Sequence, residues 1–237
     1  MSKIRFTEPN REILARRDSI INDLTRLVDP AGLITSTDEC RAYETDALTA
    51  YRKMPLAVVL PKTTEEVSAV LKYCHDTGVK VVPRGAGTSL AGGAIPSEDA
   101  VVLGLSKMNR VLAVNYDDRF IRVEAGVTNL SVTAVVAENG FFYAPDPSSQ
   151  LACTIGGNIA NNSGGAHCLK YGVTTNNLLG VRMVLIDGSI IDLGGDYLDS
   201  AGLDLLGLVV GSEGQLGIVT EATLRILKSA EGARPVL

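Results

Sequence analysis

The chain has 237 residues, of which 46% are hydrophobic and 21% are charged, and its formal net charge is −5 at pH 7. This composition predicts a globular protein with a sizeable core, and the acidic balance argues against nucleic acid as the main partner. The sequence contains no run of about 18 apolar residues, so no transmembrane segment is predicted. The polar N-terminus lacks the apolar stretch of a signal peptide, and we expect a cytoplasmic location. The four cysteines have no C-x-x-C spacing and should stay reduced.

The N-terminal part predicts one amphipathic helix and a connecting segment. Apolar residues recur at helical spacing over 11–28, and Asp29-Pro30 ends this helix. Residues 35–54 are polar and show no periodicity, which favours a solvated linker. Four of its side chains could instead line a cleft, namely Arg41, Tyr43, Asp46 and Arg52.

A strand–helix–strand unit follows the connecting segment. Residues 57–60 predict a buried strand, a capping box formed by Thr63 and Glu66 opens a helix that ends at Gly78, and residues 79–82 predict a second strand. Such a unit is parallel, and ligands favour the carboxyl end of its strands.

The rest of the chain predicts a mixed α+β pattern. The expected elements are strands over 101–103, 111–115 and 120–124, a helix over 130–138 between Thr128 and Gly140, a hairpin over 181–193 around Asp187-Gly188, a short helix over 204–210 and a strand over 218–227. The fold class is therefore α+β with two lobes: a small parallel α/β lobe near 55–105 and a larger, mostly antiparallel α+β lobe near 110–228.

Three Gly-rich segments carry the functional signal: 84–93 (RGAGTSLAGG), 146–165 (DPSSQLACTIGGNIANNSGG) and 211–217 (GSEGQLG). The longest of them has few apolar residues and is expected to be a poor core element. Glycines let backbone N–H groups approach a ligand closely, so we expect a large phosphate-bearing ligand between the lobes. The dinucleotide and P-loop fingerprints both fail, because Leu90 and Gly93 stand where a glycine and a lysine are required.

The ordered set of motifs resembles the FAD-binding domain of the vanillyl-alcohol-oxidase flavoproteins, also called the p-cresol-methylhydroxylase (PCMH) type. Within this family it is most similar to the FAD-linked (R)-2-hydroxy-acid dehydrogenases, the branch with the glycolate oxidase D subunits. The matching pieces are 57–61, 82–93, 144–165, Tyr171-Gly172 and 210–220. The implied division is an N-terminal helix and connecting segment over 1–50, a PCMH-type domain over 51–229, and over 230–237 the start of a linker to a missing C-terminal substrate domain.

The resemblance implies a role for each Gly-rich segment. The first would cradle the FAD diphosphate, and the second would wrap the isoalloxazine and the diphosphate. The third would contact the adenosine half, although a plain helix-to-strand connection explains that loop equally well. The implied cofactor-binding residues are Pro83, Arg84, Gly85, Ala86, Gly87, Thr88, Ser89, Gly92, Pro147, Ser148, Gly156, Gly157, Asn158, Ala160, Gly164, Gly165, Gly217, Ile218 and Val219. No His lies in the first loop, so FAD should bind non-covalently. A valine at Gly87 is expected to project into the diphosphate site.

The resemblance also implies the reaction. A small 2-hydroxy acid of the glycolate or D-lactate type would be oxidised to the 2-oxo acid by hydride transfer to flavin N5. His167 is the candidate base, whereas His75 is expected on a solvated helix face. The sequence has no metal-ligand spacing, and no metal site is predicted. The relatives also work with flavin and iron–sulfur partner subunits, through which this chain could associate with a membrane.

Three alternatives stay open from the sequence. One is a non-catalytic subunit that holds FAD or serves as a scaffold. Another is a different enzyme on the same fold, such as a reductase of the UDP-N-acetylenolpyruvoylglucosamine type. The third is a Gly-rich domain that binds no ligand.

Overall fold

The computed structural model describes residues 7–196 and 202–232, and it contains eight α-helices and eleven strands within these ranges. The helices are α1 Arg11–Ala15, α2 Arg17–Leu24, α3 Thr37–Cys40, α4 Thr64–Thr77, α5 Asn129–Val136, α6 Ile155–Asn161, α7 Cys168–Tyr171 and α8 Leu205–Val209. The strands are β1 Leu33–Ile34, β2 Ala57–Val59, β3 Lys80–Arg84, β4 Ala100–Gly104, β5 Val111–Asn115, β6 Phe120–Glu124, β7 Phe141–Phe142, β8 Leu178–Val184, β9 Ile190–Gly194, β10 Ile218–Arg225 and β11 Leu227–Lys228.

The smaller lobe is built on a four-stranded sheet with the order β1-β2-β4-β3. Strands β2 and β3 both run parallel to β4, and β1 is antiparallel to β2. The predicted parallel unit is therefore present, but β4 lies between its two strands. This arrangement sends the carboxyl end of β3 directly into the first Gly-rich loop.

Helix α4 begins and ends where its sequence predicts, but the predicted capping box is incomplete, because the Glu66 carboxylate accepts from the backbone N–H of Lys62 and not from that of Thr63. The Thr63 hydroxyl accepts a hydrogen bond from the backbone N–H of Glu66, and Gly78 ends the helix with φ of +75°. Its apolar face joins a core cluster that also contains Ile20 and Leu24 of α2. The predicted N-terminal helix is interrupted at Arg16, so it consists of two short helices.

A buried carboxylate fastens the N-terminal segment to the small sheet. Asp99 has no exposed surface, and its oxygens accept hydrogen bonds from the Ser97 hydroxyl at 2.6 Å and the backbone N–H of Asn10 at 2.9 Å. The Lys80 ammonium lies 2.8 Å from the same carboxylate. Burial by itself raises the pKa of Asp99, but these partners outweigh it and lower the pKa to about 2.

The larger lobe contains a five-stranded antiparallel sheet with the order β5-β6-β10-β8-β9. Helices α5 and α6 cover its inner face, where Val132, Val136, Ile155 and Ile159 share one core cluster with sheet residues such as Leu224. The predicted hairpin is present, with Asp187-Gly188 in its turn. These features confirm the predicted two-lobed α+β class.

One local prediction is wrong, and one pair of strands was missed. The segment 146–165 is not a poor core element, because it contains helix α6, in which Ile155 and Ile159 are fully buried. The short pair β7 and β11 was not predicted, since two-residue strands leave no periodicity in the sequence. Of the predicted linker start over 230–237, residues 233–237 lie outside the described residues.

Candidate functional site

A cavity of about 240 Å³ opens between the two lobes, at the carboxyl end of β3. Parts of all three Gly-rich segments line it, which is the convergence that the sequence predicts. Fourteen of the proposed cofactor-binding residues are among its lining: Pro83, Arg84, Gly85, Ala86, Gly87, Thr88, Ser89, Gly156, Gly157, Asn158, Ala160, Gly217, Ile218 and Val219. Six other predicted site residues are outside the lining: Gly92, Pro147, Ser148, Gly164, Gly165 and His167.

The first Gly-rich loop, which lines this cavity, carries a row of free donors. Among residues 7–196 and 202–232, no group accepts a hydrogen bond from the backbone N–H of any of the five consecutive residues Gly85–Ser89. Backbone N–H groups that find no partner within the folded protein need one from solvent or from a ligand. Successive free N–H groups in a turning loop form a concave anion site, so the loop suits phosphate oxygens.

Residues from the N-terminal connecting segment hold this loop in place. The Arg84 guanidinium donates to the carbonyl of Thr45 at 2.7 Å and lies 5.6 Å from the centroid of the Tyr43 ring. Burial lowers the pKa of Arg84, while Tyr43 and Asp46 act against that shift. A Cβ at Gly87, where φ is +71°, would overlap this guanidinium. Because Arg84 itself lines the cavity, the expectation that Gly87→Val projects into the diphosphate site stays a prediction, in which the new side chain would first displace the Arg84 guanidinium.

Asp46 is the functional candidate that sequence reasoning placed wrongly. It is buried, with 4% of its surface exposed, although the polar surroundings favoured a solvated linker. Its carboxylate accepts from the backbone N–H of Leu48 at 2.9 Å and of Gly92 at 3.0 Å. The Gly92 contact crosses 46 positions in the chain. Nothing in the local sequence indicates it, since the signal lies only in the fold.

The second Gly-rich segment contributes side chains and close packing more than free N–H groups. Within the first turn of α6, the N–H of Gly156 donates to the carbonyl of Ala125 at 2.8 Å and that of Gly157 to the Thr154 hydroxyl at 3.3 Å. The start of this helix therefore offers no free donor at either position. A diphosphate would find its N–H donors on the first loop instead.

Adjacent glycines of α6 face different ways. A Cβ at Gly156 would lie 3.0 Å from the Cβ and 3.2 Å from the carbonyl oxygen of Ala125, so Gly156 permits close packing of the helix against the chain after β6. A Cβ at Gly157 would meet only the Thr154 hydroxyl, at 3.4 Å. Gly157 lines the cavity, and its missing side chain keeps that space open.

Asn158 is a cavity residue with a fixed orientation. Only 1% of it is exposed, and its carbonyl oxygen accepts from the Asn129 amide at 2.9 Å. The Asn129 amide also donates to the carbonyl of Pro145 at 3.0 Å, and the Asn158 amide lies 3.2 Å from the Cys153 sulfur. This buried network fixes the Asn158 amide at the cavity wall.

The third Gly-rich loop is attached to α6. The N–H groups of Gly211 and Glu213 donate to the carbonyls of Ile159 and Ala160, at 2.9 and 2.8 Å. A Cβ at Gly217 would lie 2.6 Å from the Met183 methyl and 2.7 Å from the Val184 carbonyl oxygen, so this glycine is required for packing on β8. The loop therefore both connects α8 to β10 and closes one side of the cavity.

The arrangement of motifs agrees with comparisons to known proteins. A family model described as "FAD binding domain" matches residues 55–194, which is more than half of the chain. The chain is 48% identical over 221 residues to "Glycolate oxidase subunit GlcD" of Escherichia coli (strain K12), covering 93% of this chain and 44% of that protein. This chain belongs to the FAD-binding domain family.

Further relatives of this FAD-binding domain have related names. It is 40% identical over 210 residues to a D-lactate dehydrogenase of Archaeoglobus fulgidus (88% of this chain, 46% of that protein). It is 37% identical over 210 residues to a D-2-hydroxyglutarate dehydrogenase of Xanthomonas citri pv. viticola (88% and 44%). The chain thus spans less than half the length of these relatives. A solved alkyldihydroxyacetonephosphate synthase shares the fold, with a TM-score of 0.82 and 23% identity over 97% of this chain and 43% of that one.

The residues present fit the cofactor of an FAD-binding domain. The five free N–H groups of the first loop suit a diphosphate, and the glycine-lined wall of α6 leaves room beside it. Among the described residues, no group of three or more His, Cys, Asp or Glu side chains is placed to hold a metal ion. Within the same ranges, no helix is long and apolar enough to cross a membrane.

His167 lies outside the cavity lining, next to the second Gly-rich segment. Its Nδ1 is 3.0 Å from one oxygen of Asp146, and its backbone N–H donates to the other oxygen at 3.0 Å. The Asp146 contact favours a proton on Nδ1 and leaves Nε2 as the acceptor. A Cβ at Gly165 would overlap the Asp146 carbonyl and carboxylate, so this glycine permits the contact.

Proposed function

We propose that this FAD-binding domain holds FAD non-covalently and is the cofactor-binding part of an enzyme that oxidises a 2-hydroxy acid to the 2-oxo acid. A substrate of the glycolate or D-lactate type is supported by the names of the relatives. Bound FAD would supply the acceptor for the hydride that leaves C2 of the substrate.

The observation that carries this proposal is the row of unpaired N–H groups over Gly85–Ser89. These donors would bind the diphosphate, because charge-assisted hydrogen bonds to several convergent N–H groups are stronger than neutral ones. Gly156, Gly157 and Asn158 would form the wall against the flavin side of the cofactor. The segment Gly217–Val219 would contact the adenosine half.

His167 is proposed as the group that takes the hydroxyl proton of the substrate. Its Nε2 is available, and the Asp146 carboxylate would stabilise the imidazolium that forms. Its side chain is 58% exposed, so water would have to be excluded from it during turnover. Another part of a longer protein, or a partner chain, is proposed to cover this face.

The remaining features of the biology are proposals that rest on the family alone. A subunit name among the relatives supports assembly with other chains, for which flavin and iron–sulfur subunits are the proposed classes. A cytoplasmic location, with membrane association through such partners, stays a prediction from the sequence.

The first test is a visible absorption spectrum of the purified chain after addition of FAD and desalting, repeated after acid precipitation. Retained yellow flavin that acid releases into the supernatant is the expected result. Flavin that stays in the acid pellet would contradict non-covalent binding, and a colourless protein would contradict FAD binding by this chain. Reduction of the bound flavin by NADPH would favour the reductase alternative. If glycolate and D-lactate leave the bound FAD oxidised, even in a complete assembly, the scaffold alternative is favoured.

A further inference from the structure

A second layer of residues lies behind the first Gly-rich loop and touches none of the cavity. This layer is the segment Thr45–Leu48, which sequence reasoning assigned to a linker. It contacts the loop at three places: the Thr45 carbonyl accepts from the Arg84 guanidinium, the Ala47 N–H donates to the Gly87 carbonyl at 2.9 Å, and the Asp46 carboxylate accepts from the Gly92 N–H.

We propose that Asp46 is a positioning residue for the diphosphate loop: its buried carboxylate fixes the loop so that the N–H groups of Gly85–Ser89 face the cavity. The proposal rests on the proposed FAD function and assigns to Asp46 a role in cofactor affinity. Asp46 itself is not among the residues that line the cavity.

The hydrogen bonds of Asp46 explain how one residue can set the loop conformation. One carboxylate oxygen accepts from Leu48 and so closes its own turn, while the other accepts from Gly92, where φ is +80°. These two bonds tie the far end of the loop to a turn that is itself anchored on Gly87. The loop is thereby fixed at both ends while its middle keeps its N–H groups free.

A carboxylate at this place is better explained by a role in positioning the loop than by a direct effect of its charge on FAD. A negative charge close to a diphosphate would weaken FAD binding if charge were its only effect. Burial lowers the pKa of Arg84, and the charge of Asp46 acts against that shift. Removing the charge should therefore tighten FAD binding in a purely electrostatic account and weaken it if Asp46 positions the loop.

The test compares wild type with Asp46→Asn, an isosteric change in which the amide nitrogen cannot accept a hydrogen bond. One of the two N–H groups then loses its acceptor, and the loop should leave its binding conformation for much of the time. Apparent affinity falls in proportion to the competent fraction. Loss of a charged hydrogen bond predicts a Kd for FAD raised by about tenfold or more.

The measurements are titrations of FAD and of riboflavin, followed by flavin fluorescence, with urea unfolding as a check of the fold. Riboflavin has no phosphate, so Asp46→Asn should leave its affinity within about twofold of wild type. Asp187→Asn is the matched control, because Asp187 also accepts a backbone N–H, from Ser189 at 2.9 Å, in a hairpin turn outside the cavity. This control should leave both affinities unchanged.

Each outcome separates the two proposals. Unchanged or tighter FAD binding by Asp46→Asn would overturn the positioning role, and so would an equal loss of FAD and riboflavin binding. Wild type that binds no FAD would overturn the proposed function, and this inference with it. If Asp46→Asn does not fold, Asp46→Ser serves instead, since its hydroxyl reaches at most one of the two N–H groups and the same selective loss of FAD affinity is expected.

Discussion

Replacing Gly157 by alanine should raise the stability of the protein and lower its affinity for FAD. The two effects have separate causes in the structure. Gly157 lies in the first turn of α6, and the added Cβ would meet only the Thr154 hydroxyl, at 3.4 Å, which is ordinary van der Waals contact. Beyond that contact the methyl group would enter the cavity.

The stability term follows from the backbone. An alanine in a helix is favoured over a glycine by about 0.5 to 1 kcal/mol, because glycine loses more conformational freedom on folding. For a chain of this size that gain corresponds to an increase in Tm of roughly 1–4 °C. The neighbouring Gly156→Ala has the opposite sign, since its Cβ would lie 3.0 Å from the Cβ of Ala125. Overpacking of that kind costs about 1–3 kcal/mol.

The binding term follows from the cavity wall. A methyl group where the cofactor is proposed to lie would displace it or force α6 outward, and we expect the Kd for FAD to rise by about tenfold or more. The assay is thermal unfolding of the apo chain, combined with an FAD titration followed by flavin fluorescence. An FAD affinity within about twofold of wild type, in a Gly157→Ala protein that is folded and as stable as expected, would refute the placement of the cofactor against α6.

Two further predictions concern stability. Gly165→Ala should destabilise the chain by about 1–3 kcal/mol in urea unfolding, because the added Cβ would overlap Asp146. An unchanged unfolding midpoint would show that this contact is not tight. The hydrogen bonds and the Lys80 ammonium lower the pKa of Asp99 from its ordinary value of 3.8 to about 2, so its ionised form stabilises the fold. This difference corresponds to about 2 kcal/mol, which is fully present above pH 4 and is lost as the pH falls towards 2. Asp99→Asn should therefore destabilise the protein near pH 7, and its deficit relative to wild type should shrink between pH 4 and pH 2. A deficit that is constant with pH would contradict the linkage.

Elements with strong local signals were predictable. Helix α4 has an N-cap threonine, a regular apolar face and a terminal glycine, and each of these acts within a few residues. The hairpin at Asp187-Gly188 and the strands β5, β6 and β10 likewise follow from short-range patterns. Because the three Gly-rich segments stand at the ends of such elements, their convergence on one cavity also followed.

Helix α6 shows why the second Gly-rich segment was misjudged. Two glycines and two asparagines in seven residues lower its helix propensity, so composition favours a loop. Tertiary packing overrides this preference, because Ile155 and Ile159 bury their side chains completely and Gly156 allows the helix to approach Ala125. Gly156, which suggested close approach of a ligand, is thus the residue that lets the helix pack where it does.

The connecting segment before β2 shows a different limit of prediction from the sequence. The Asp46 carboxylate accepts from Gly92, 46 positions away, and the Thr45 carbonyl accepts from Arg84, 39 positions away. A polar segment without periodicity gives no sign of these contacts. The place of this segment in the fold also explains why the N–H groups of the first loop stay unpaired, which the sequence of the loop alone does not. Free N–H groups would collapse onto carbonyls within a flexible Gly-rich loop, whereas a loop fixed from behind at Arg84, Gly87 and Gly92 keeps them open. On the proposed function, diphosphate binding would depend on the conformation that this second layer imposes, and glycine content alone would not provide it.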